Sequence, residues 1–406
     1  MSMPDDERER GRGVWQAVGP RRAALTLMPN RWRRRPPPLE AGTIIVGDNV
    51  LVADDNDLTT SSSPHAQAVD AEGTAPAAPT DAPLAAASAW LFRPGAEPAL
   101  IAPDDIPAAL AIDENFVWVD LSAYAQADLR EIGRLLDLHR RAVHAALSPW
   151  QRPRLAIYPN HFYTSATVAR PDATTRRVQA SELDLFVGRN FLVSAHKQPL
   201  PFGDHLLTRA RTSPELVLLD AAFMLYVILD ELLAYYEELN TQMQGEIERM
   251  EERALRDTSD QFLEDLVHFK RYVFALDQLA EQHRAVFAAY LRPDFTLIAG
   301  QEVEAFYEDL DTRLARLLGM LSGNRETVNG SFEIYVSQMA HRTNAIIRTL
   351  TVVSTLLFSA SVLISLFGAS VQGLATYAPF TFIGMLVAIL VVCAIALWLF
   401  RTRKWV

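Results

Sequence analysis

Two uncharged apolar stretches near the C-terminus constrain this chain more than any other feature. From Thr349 to Gly368 no residue carries a formal charge, and after a short uncharged break the pattern resumes from Phe380 to Phe400. Each stretch is about 20 residues long, which spans a hydrocarbon core of roughly 30 Å as a helix. Lipid offers the backbone no partners, so only a helix satisfies its own polar groups over that length. The pattern predicts two transmembrane helices, 344–368 and 380–400; the alternative is a helical hairpin buried in a soluble core. His341, Arg342 and Arg348 precede the pair, Arg401, Arg403 and Lys404 follow it, and the loop 369–379 has no Lys or Arg. The positive-inside rule then places both termini in the cytoplasm, with 401–406 a basic cytoplasmic tail and the loop outside. A multi-pass protein of the plasma (inner) membrane is expected, with the bilayer as its partner.

The first stretch is unusually rich in hydroxyls. Steps of three and four put Asn344, Ile347, Thr351, Ser354 or Thr355, Phe358, Ser361 and Ser365 on one side of a helix. Hydroxyls in a membrane helix face other helices or a wet path, because lipid cannot pair them. The stripe is therefore packing between helices or the wall of a pore built from several copies. A bond from each hydroxyl to its own backbone four residues back is the third possibility.

The rest of the chain is mixed. Net charge is −11, which argues against a nucleic-acid partner. The only cysteine, Cys393, lies in the second apolar stretch, so no intrachain disulfide forms. Residues 1–88 read as a disordered tail: Arg31-Trp32-Arg33-Arg34-Arg35 runs into three prolines, 61–88 are mostly Ala, Pro, Ser and Thr, and Ile44–Val52 is one short apolar island. No long apolar run follows the basic residues, so a secretory signal is not expected. Residues 89–212 read as an α/β domain. Strands are expected at Trp90–Phe92, Phe116–Asp120, Arg154–Tyr158, His161–Ala169, Leu183–Val187 and Asn190–His196, and helices at Ala123–Leu138 and Arg140–Leu147. Residues 213–343 read as a helical stalk. One helix runs from Pro214 to Ala254, a second from Gln261 to Leu291, and a third from near Gln301 straight into the first membrane helix, about 65 residues and 100 Å in all. Glu246, Glu248, Glu251 and Glu252 on the first are candidate ligands for a regulatory divalent cation, although such charge runs are more often solvated faces. No phosphate loop, no metal-ligand pair with enzyme spacing and no nucleophile–base set is present, so no enzyme is expected.

Several stretches resemble the CorA family of divalent-cation channels and transporters: Phe116-Val117-Trp118-Val119-Asp120-Leu121, Gln151-Arg152-Pro153-Arg154-Leu155 with Tyr158, Leu185 to His196, Leu229-Asp230, Thr343-Asn344, and the basic-aromatic ending from Arg401. The resemblance covers about residues 89–406. It implies an α+β membrane protein with a cytoplasmic αβα sandwich, a long helical funnel, a C-terminal two-helix transmembrane hairpin and a homopentameric assembly. It implies no cofactor; a divalent cation, Mg²⁺ first with Zn²⁺ and Co²⁺ as others, is the transported and regulatory ligand. The implied pore wall is Asn344, Ile347, Thr351, Thr355, Phe358, Ser361 and Ser365, with Ile347 and Phe358 as constrictions. One departure stands out. The family ends its first membrane helix with Gly-Met-Asn, where this chain has Gly368-Ala369-Ser370. A serine hydroxyl reaches less far than an asparagine amide and lacks its carbonyl. Altered selectivity, or a role as scaffold or regulator without transport, is the alternative reading.

Overall fold

The structure is a computed structural model. It describes residues 43–46, 49–52, 84, 86–149, 152–172, 177–212, 221–293, 295, 298, 303–370 and 378–403. The basic run at 31–35, the helix start at Ser213-Pro214, loop residues 371–377 and the ending 404–406 lie outside the described residues.

The described strands form one sheet. They are β1 (Thr43–Val46), β2 (Asn49–Val52), β3 (Ala87–Phe92), β4 (Ala99–Ile101), β5 (Phe116–Ser122), β6 (Arg154–Ile157), β7 (His161–Asp172), β8 (Arg177–Gly188) and β9 (Phe191–His196), in the order β2-β1-β6-β7-β8-β9-β5-β3-β4. Only β5 and β9 pair in parallel. The centre of the sheet is covered on both faces, so β7 is buried without a break from His161 to Ala169. Between β8 and β9 the chain reverses at Arg189-Asn190. A Cβ at Gly188 would fall 2.2 Å from the Phe191 ring, so the close approach of that ring requires glycine there.

Across the parallel pair, Trp118 donates its indole N–H to Ser194 Oγ at 2.9 Å, and Ser194 donates to Asp120 at 2.5 Å. His196 Nε2 lies 3.2 Å from the same Asp120 oxygen. These polar residues belong to the stretches that carry the family resemblance. Their work is to fix the register of the parallel pair.

Helices cover both faces. On one side α1 (Ile106–Leu110), α2 (Gln126–Leu135) and α3 (Arg140–Leu147) close a core of Val117, Val119, Leu129, Ile132, Phe186 and Val193. On the other, Trp118, Leu155, Phe162, Leu185 and Leu192 face α4 (Gly203–Thr212), α5 (Ala221–Ala254), α6 (Asp260–Glu281), α7 (Arg284–Tyr290) and the start of α8 (Glu304–Ser370). The expected α/β domain is thus a three-layer α/β/α arrangement.

Three expectations need correction. The island at Ile44–Val52, expected within a disordered tail, supplies β1 and β2, and β1 pairs antiparallel with β6. The helix expected over Ala123–Leu138 is shorter, because left-handed backbone at Ala123 (φ 53°) and Asp137 (φ 50°) stops it at both ends. The helix expected over Gln261–Leu291 is two, α6 and α7, separated at Gln282-His283. The break accompanies a buried His283, whose Nε2 accepts the Thr167 N–H at 3.0 Å while Nδ1 lies 3.3 Å from the Ala280 carbonyl. β4, α1 and α4 had no clear signal in the sequence.

Burial pushes His283 down to about 4, and His161 also to about 4. Unfolded histidine titrates near 6.5. Between those values the unfolded chain binds more protons at these two sites, so the stability they contribute falls as pH drops from about 6.5 to about 4, against the opposite slope of the raised carboxylates Asp184 and Glu182. Thermal unfolding followed by Trp fluorescence, compared between the chain and its variants, is expected to show the histidine part of the slope. His283→Leu should make it shallower and cost about 1–3 kcal/mol at pH 7, since the Thr167 N–H loses its buried acceptor. An unchanged slope would contradict this assignment.

Candidate ion pathway

Helix α8 is 67 residues long, about 100 Å at 1.5 Å per residue. It begins as a core helix: Leu310, Leu314, Leu317, Leu318 and Leu321 are buried at spacings of three and four. Gly319, Gly323 and Gly330 do not interrupt it.

Polar contacts fix α8 to its neighbours. The Tyr307 hydroxyl donates to the Ala222 carbonyl at 2.6 Å. Arg313 donates to Asp230 and, at 2.9 Å, to Glu237. Asp230 also receives Arg209 of α4 at 2.5 Å, and Arg209 reaches Glu231 at 2.9 Å. Farther along, Asn324 donates to Asn240 at 2.8 Å. These contacts advance together along both helices, so α5 runs parallel to α8. Contacts with α6 advance in opposite senses: Arg325 to Asp277 at 2.9 Å, the Tyr335 ring against Phe262 at 5.7 Å, then Arg342 to Thr258. The up-and-down pair α5–α6 therefore braces α8 as far as Arg342. The Arg209–Asp230–Arg313 clamp was legible only as two adjacent carboxylates, Asp230 and Glu231, inside the apolar run Phe223–Leu233.

Beyond the brace the character changes. Residues 341–350 are exposed throughout. Val352 is buried at 8% exposure, and Leu356, Ser359, Ala360 and Leu363 continue its side half-buried. The second apolar helix, α9 (Ala378–Thr402), presents Ala388, Ile389, Val392, Cys393 and Ala396 half-buried in turn. The polar stripe lies on another side of α8. Asn344, Ser354, Ser361 and Ser365 are exposed, Ile347 is 53% and Phe358 72% exposed, and Thr351 and Thr355 sit half-buried at the border. At about 100° per residue, Phe358 is roughly a third of a turn from Val352.

Three stripe hydroxyls donate to the backbone carbonyl four residues back, the third of the possibilities open from the sequence. Thr351 donates to the Ile347 carbonyl at 2.8 Å, Thr355 to Thr351 at 2.7 Å and Ser361 to Leu357 at 2.9 Å. A hydroxyl bonded this way satisfies its donor and still presents oxygen lone pairs outward.

Gly368, Ala369 and Ser370 form the last turn of α8, which runs two residues past the expected end, and α9 begins at Ala378 rather than 380. Of the candidate regulatory carboxylates, Glu246 pairs with Arg249 at 2.6 Å and Glu252 with Arg256 at 3.2 Å. Glu248 is exposed and Glu251 half-buried. Among the described residues, no three His, Cys, Asp or Glu side chains converge as a metal site.

The layered α/β/α domain is continuous with a helix that is, by length and composition, long and apolar enough to cross a membrane. The family profile for the CorA-like Mg²⁺ transporter protein matches residues 113–403, and the chain belongs to that family, one of membrane transporters rather than enzymes. The putative metal ion transporter YfjQ of Bacillus subtilis is 22% identical over 291 residues, covering 69% of this chain and 87% of the relative. The cobalt/magnesium transport protein CorA of Thermotoga maritima is 19% identical over 295 residues, covering 71% and 83%. Among solved structures, the complete CorA magnesium transporter of Methanocaldococcus jannaschii superposes with a TM-score of 0.66 at 17% identity, over 78% of this chain and 98% of that one. The full-length CmaX protein gives 0.60 at 16%, over 78% and 97%. The likenesses to solved structures show a shared fold.

Asp230 is the joint of the clamp. Asp230→Asn removes the charge that two arginines share, and a hydrogen bond to a charged group is worth about 1.5–3 kcal/mol. Unfolding of the detergent-solubilised chain should show a loss of that size. Arg249→Gln, which breaks an exposed pair, should change stability by less than about 1 kcal/mol.

Proposed function

We propose that the protein is a divalent-cation channel, with Mg²⁺ its first substrate and Zn²⁺ or Co²⁺ as further ones. In this reading α8 and α9 cross the inner membrane as a hairpin, both termini are cytoplasmic, and five copies of α8 surround the pore. The carrying observation is the stripe of Asn344, Ser354, Ser361 and Ser365, exposed in one chain, with Thr351 half-buried at its border and the buried side of α8 around Val352 turned elsewhere. One helix cannot enclose a path, so the stripe needs further copies to become a wall.

Mg²⁺ gives up its water reluctantly. The ion's waters point their protons outward, and Thr351, Thr355 and Ser361, with their own protons on backbone carbonyls, meet those waters as acceptors. Asn344 would receive the ion near the inner end. Ile347 and Phe358 would form apolar rings that close by dewetting. At the outer mouth Gly368, Ala369 and Ser370 take the place of the family motif. A membrane potential of 100 mV favours entry of a double charge by about 4.6 kcal/mol. The braced continuity of α8 supports gating by the cytoplasmic domain, with Glu246, Glu248, Glu251 and Glu252 available for a divalent ion shared between neighbouring chains. Ser370 in place of asparagine favours a second reading, a homologue with altered selectivity or with a scaffold or regulatory role.

Cysteine accessibility tests the wall. With Cys393 replaced by Ala, Asn344→Cys, Thr351→Cys and Phe358→Cys should react with a permeant thiol reagent, and Leu390→Cys should not. Equal labelling on both helices would overturn the assignment. Ser370→Asn combined with Ala369→Met should raise divalent flux; no change would place selectivity elsewhere in the pore.

A further inference from the structure

The β7–β8 ladder carries a polar patch on the side of the sheet that α1, α2 and α3 cover, and the ion pathway makes no use of it. Side chains alternate across a strand, so Tyr163, Ser165 and Thr167 of β7 stand on that side with Phe186, Asp184 and Glu182 of β8. Ser165 is opposite Asp184, and Thr167 is opposite Glu182. Facing Cβ atoms in such a ladder lie about 4.5–5.5 Å apart, and residues two apart on one strand about 7 Å. Four oxygen-bearing side chains therefore surround one spot on the sheet.

The patch is buried. Ser165, Thr167 and Asp184 are 2%, 1% and 2% exposed, and Glu182 is half-buried. Tyr163 donates to Asp184 at 2.5 Å. Ser165 Oγ, Thr167 Oγ1 and Glu182 Oε1 find no such partner: all three are buried without a hydrogen bond among the described residues. Thr167 is held from the other side of the sheet, which fixes where its hydroxyl stands. Its N–H goes to His283 Nε2 at 3.0 Å, and its carbonyl accepts the Tyr236 hydroxyl at 3.0 Å. A buried oxygen without a partner is costly, and three around one spot point to one shared partner.

Charge narrows what that partner is. Among the described residues neither Glu182 nor Asp184 forms an ion pair. The cations whose fields reach both carboxyls are Arg154 and Lys197. Arg154 donates to the Ala145 carbonyl at 2.9 Å and lies over the Tyr163 ring, and Lys197 is exposed. A water would satisfy the hydroxyls but bring no charge, and a buried carboxylate without a counter-charge is unfavourable. A metal ion binds carboxylate and hydroxyl oxygens alike and supplies the charge.

We propose that Ser165, Thr167, Glu182 and Asp184 hold one alkali-metal ion against this side of the sheet. Ca²⁺ takes about six to eight oxygens, and Mg²⁺ keeps several of its waters. Four side chains offer fewer contacts than the first takes, and burial works against the shell that the second retains. Arg154 and Lys197 nearby also favour a single charge over a double one.

The test is thermal unfolding of the full-length protein in detergent, at mildly alkaline pH with EDTA, titrating NaCl or KCl against choline chloride at constant ionic strength. EDTA removes divalent cations, so the outcome is independent of transport. One of the two alkali ions should raise the melting temperature saturably above the choline baseline. Glu182→Gln and Thr167→Val should each abolish the rise. Thr167→Val deletes an unpartnered hydroxyl, so in choline alone it should melt no lower than the unaltered chain, and loss of the rise there is not loss of the fold. Glu97→Gln, which neutralises an exposed carboxylate elsewhere, should keep the rise. The same melting temperature in all three salts would overturn the proposal and assign the three oxygens to buried water. A rise that survives Glu182→Gln with Thr167→Val would overturn it as well. So would a rise with Mg²⁺ in EDTA-free buffer but with neither alkali ion, by assigning the patch to a divalent cation.

Discussion

Over its 67 residues α8 passes from a protein core to a brace and then to an apolar segment made for lipid, without a break in its hydrogen-bond ladder. Each region sets its own terms. In the core, leucines at spacings of three and four belong to the face that packs α8 on α5, α6 and α7. Along the brace, the Arg209–Asp230–Arg313 clamp and the Asn240–Asn324 contact fix its register against α5. Beyond Arg342 only the helix itself satisfies the backbone. One helix joins all three, and it has no proline to kink it.

Much of this was legible because it follows from periodicity. The uncharged stretches, the absence of proline before Pro379 and the apolar spacing from Phe306 fixed the long helix to within a few residues. Strands β5, β6 and β9 showed as short apolar runs with turn residues beside them. What escaped the sequence depends on distant partners. β1 and β2 are strands because β6 offers an open edge, and no local signal announces that. The α6–α7 break depends on His283 meeting Thr167, 116 positions away. Left-handed backbone at Ala123 and Asp137 shortens α2; alanine gives no sign of it, and aspartate only tolerates that conformation better than most.

The candidate site was legible to a lesser degree. The positions of the stripe could be read from steps of three and four, and they lie along one side of α8. What the spacing alone left open was the hydrogen-bonding state of the hydroxyls. For Thr351, Thr355 and Ser361 the bond to the backbone four residues back, one of the possibilities open from the sequence, is the one observed, and Thr343, Thr349 and Ser359 off the stripe make the same bond. The glutamates of α5 show the opposite case: Glu246 and Glu252 each answer an arginine one turn away, as charge runs on a solvated helix commonly do. The polar residues of β5 and β9 show a third, in which family-like motifs serve the fold.

The central claim is that this chain passes divalent cations across a bilayer. Ion flux into proteoliposomes of the purified protein, read with fluorescent reporters for Mg²⁺, Zn²⁺ and Co²⁺ against empty vesicles, tests it most directly. The account predicts flux that saturates with at least one of these ions, grows with an inside-negative potential and is blocked by hexammine cobalt, a mimic of hydrated Mg²⁺. Silence with all three ions, from an assembly shown to be intact, would contradict it.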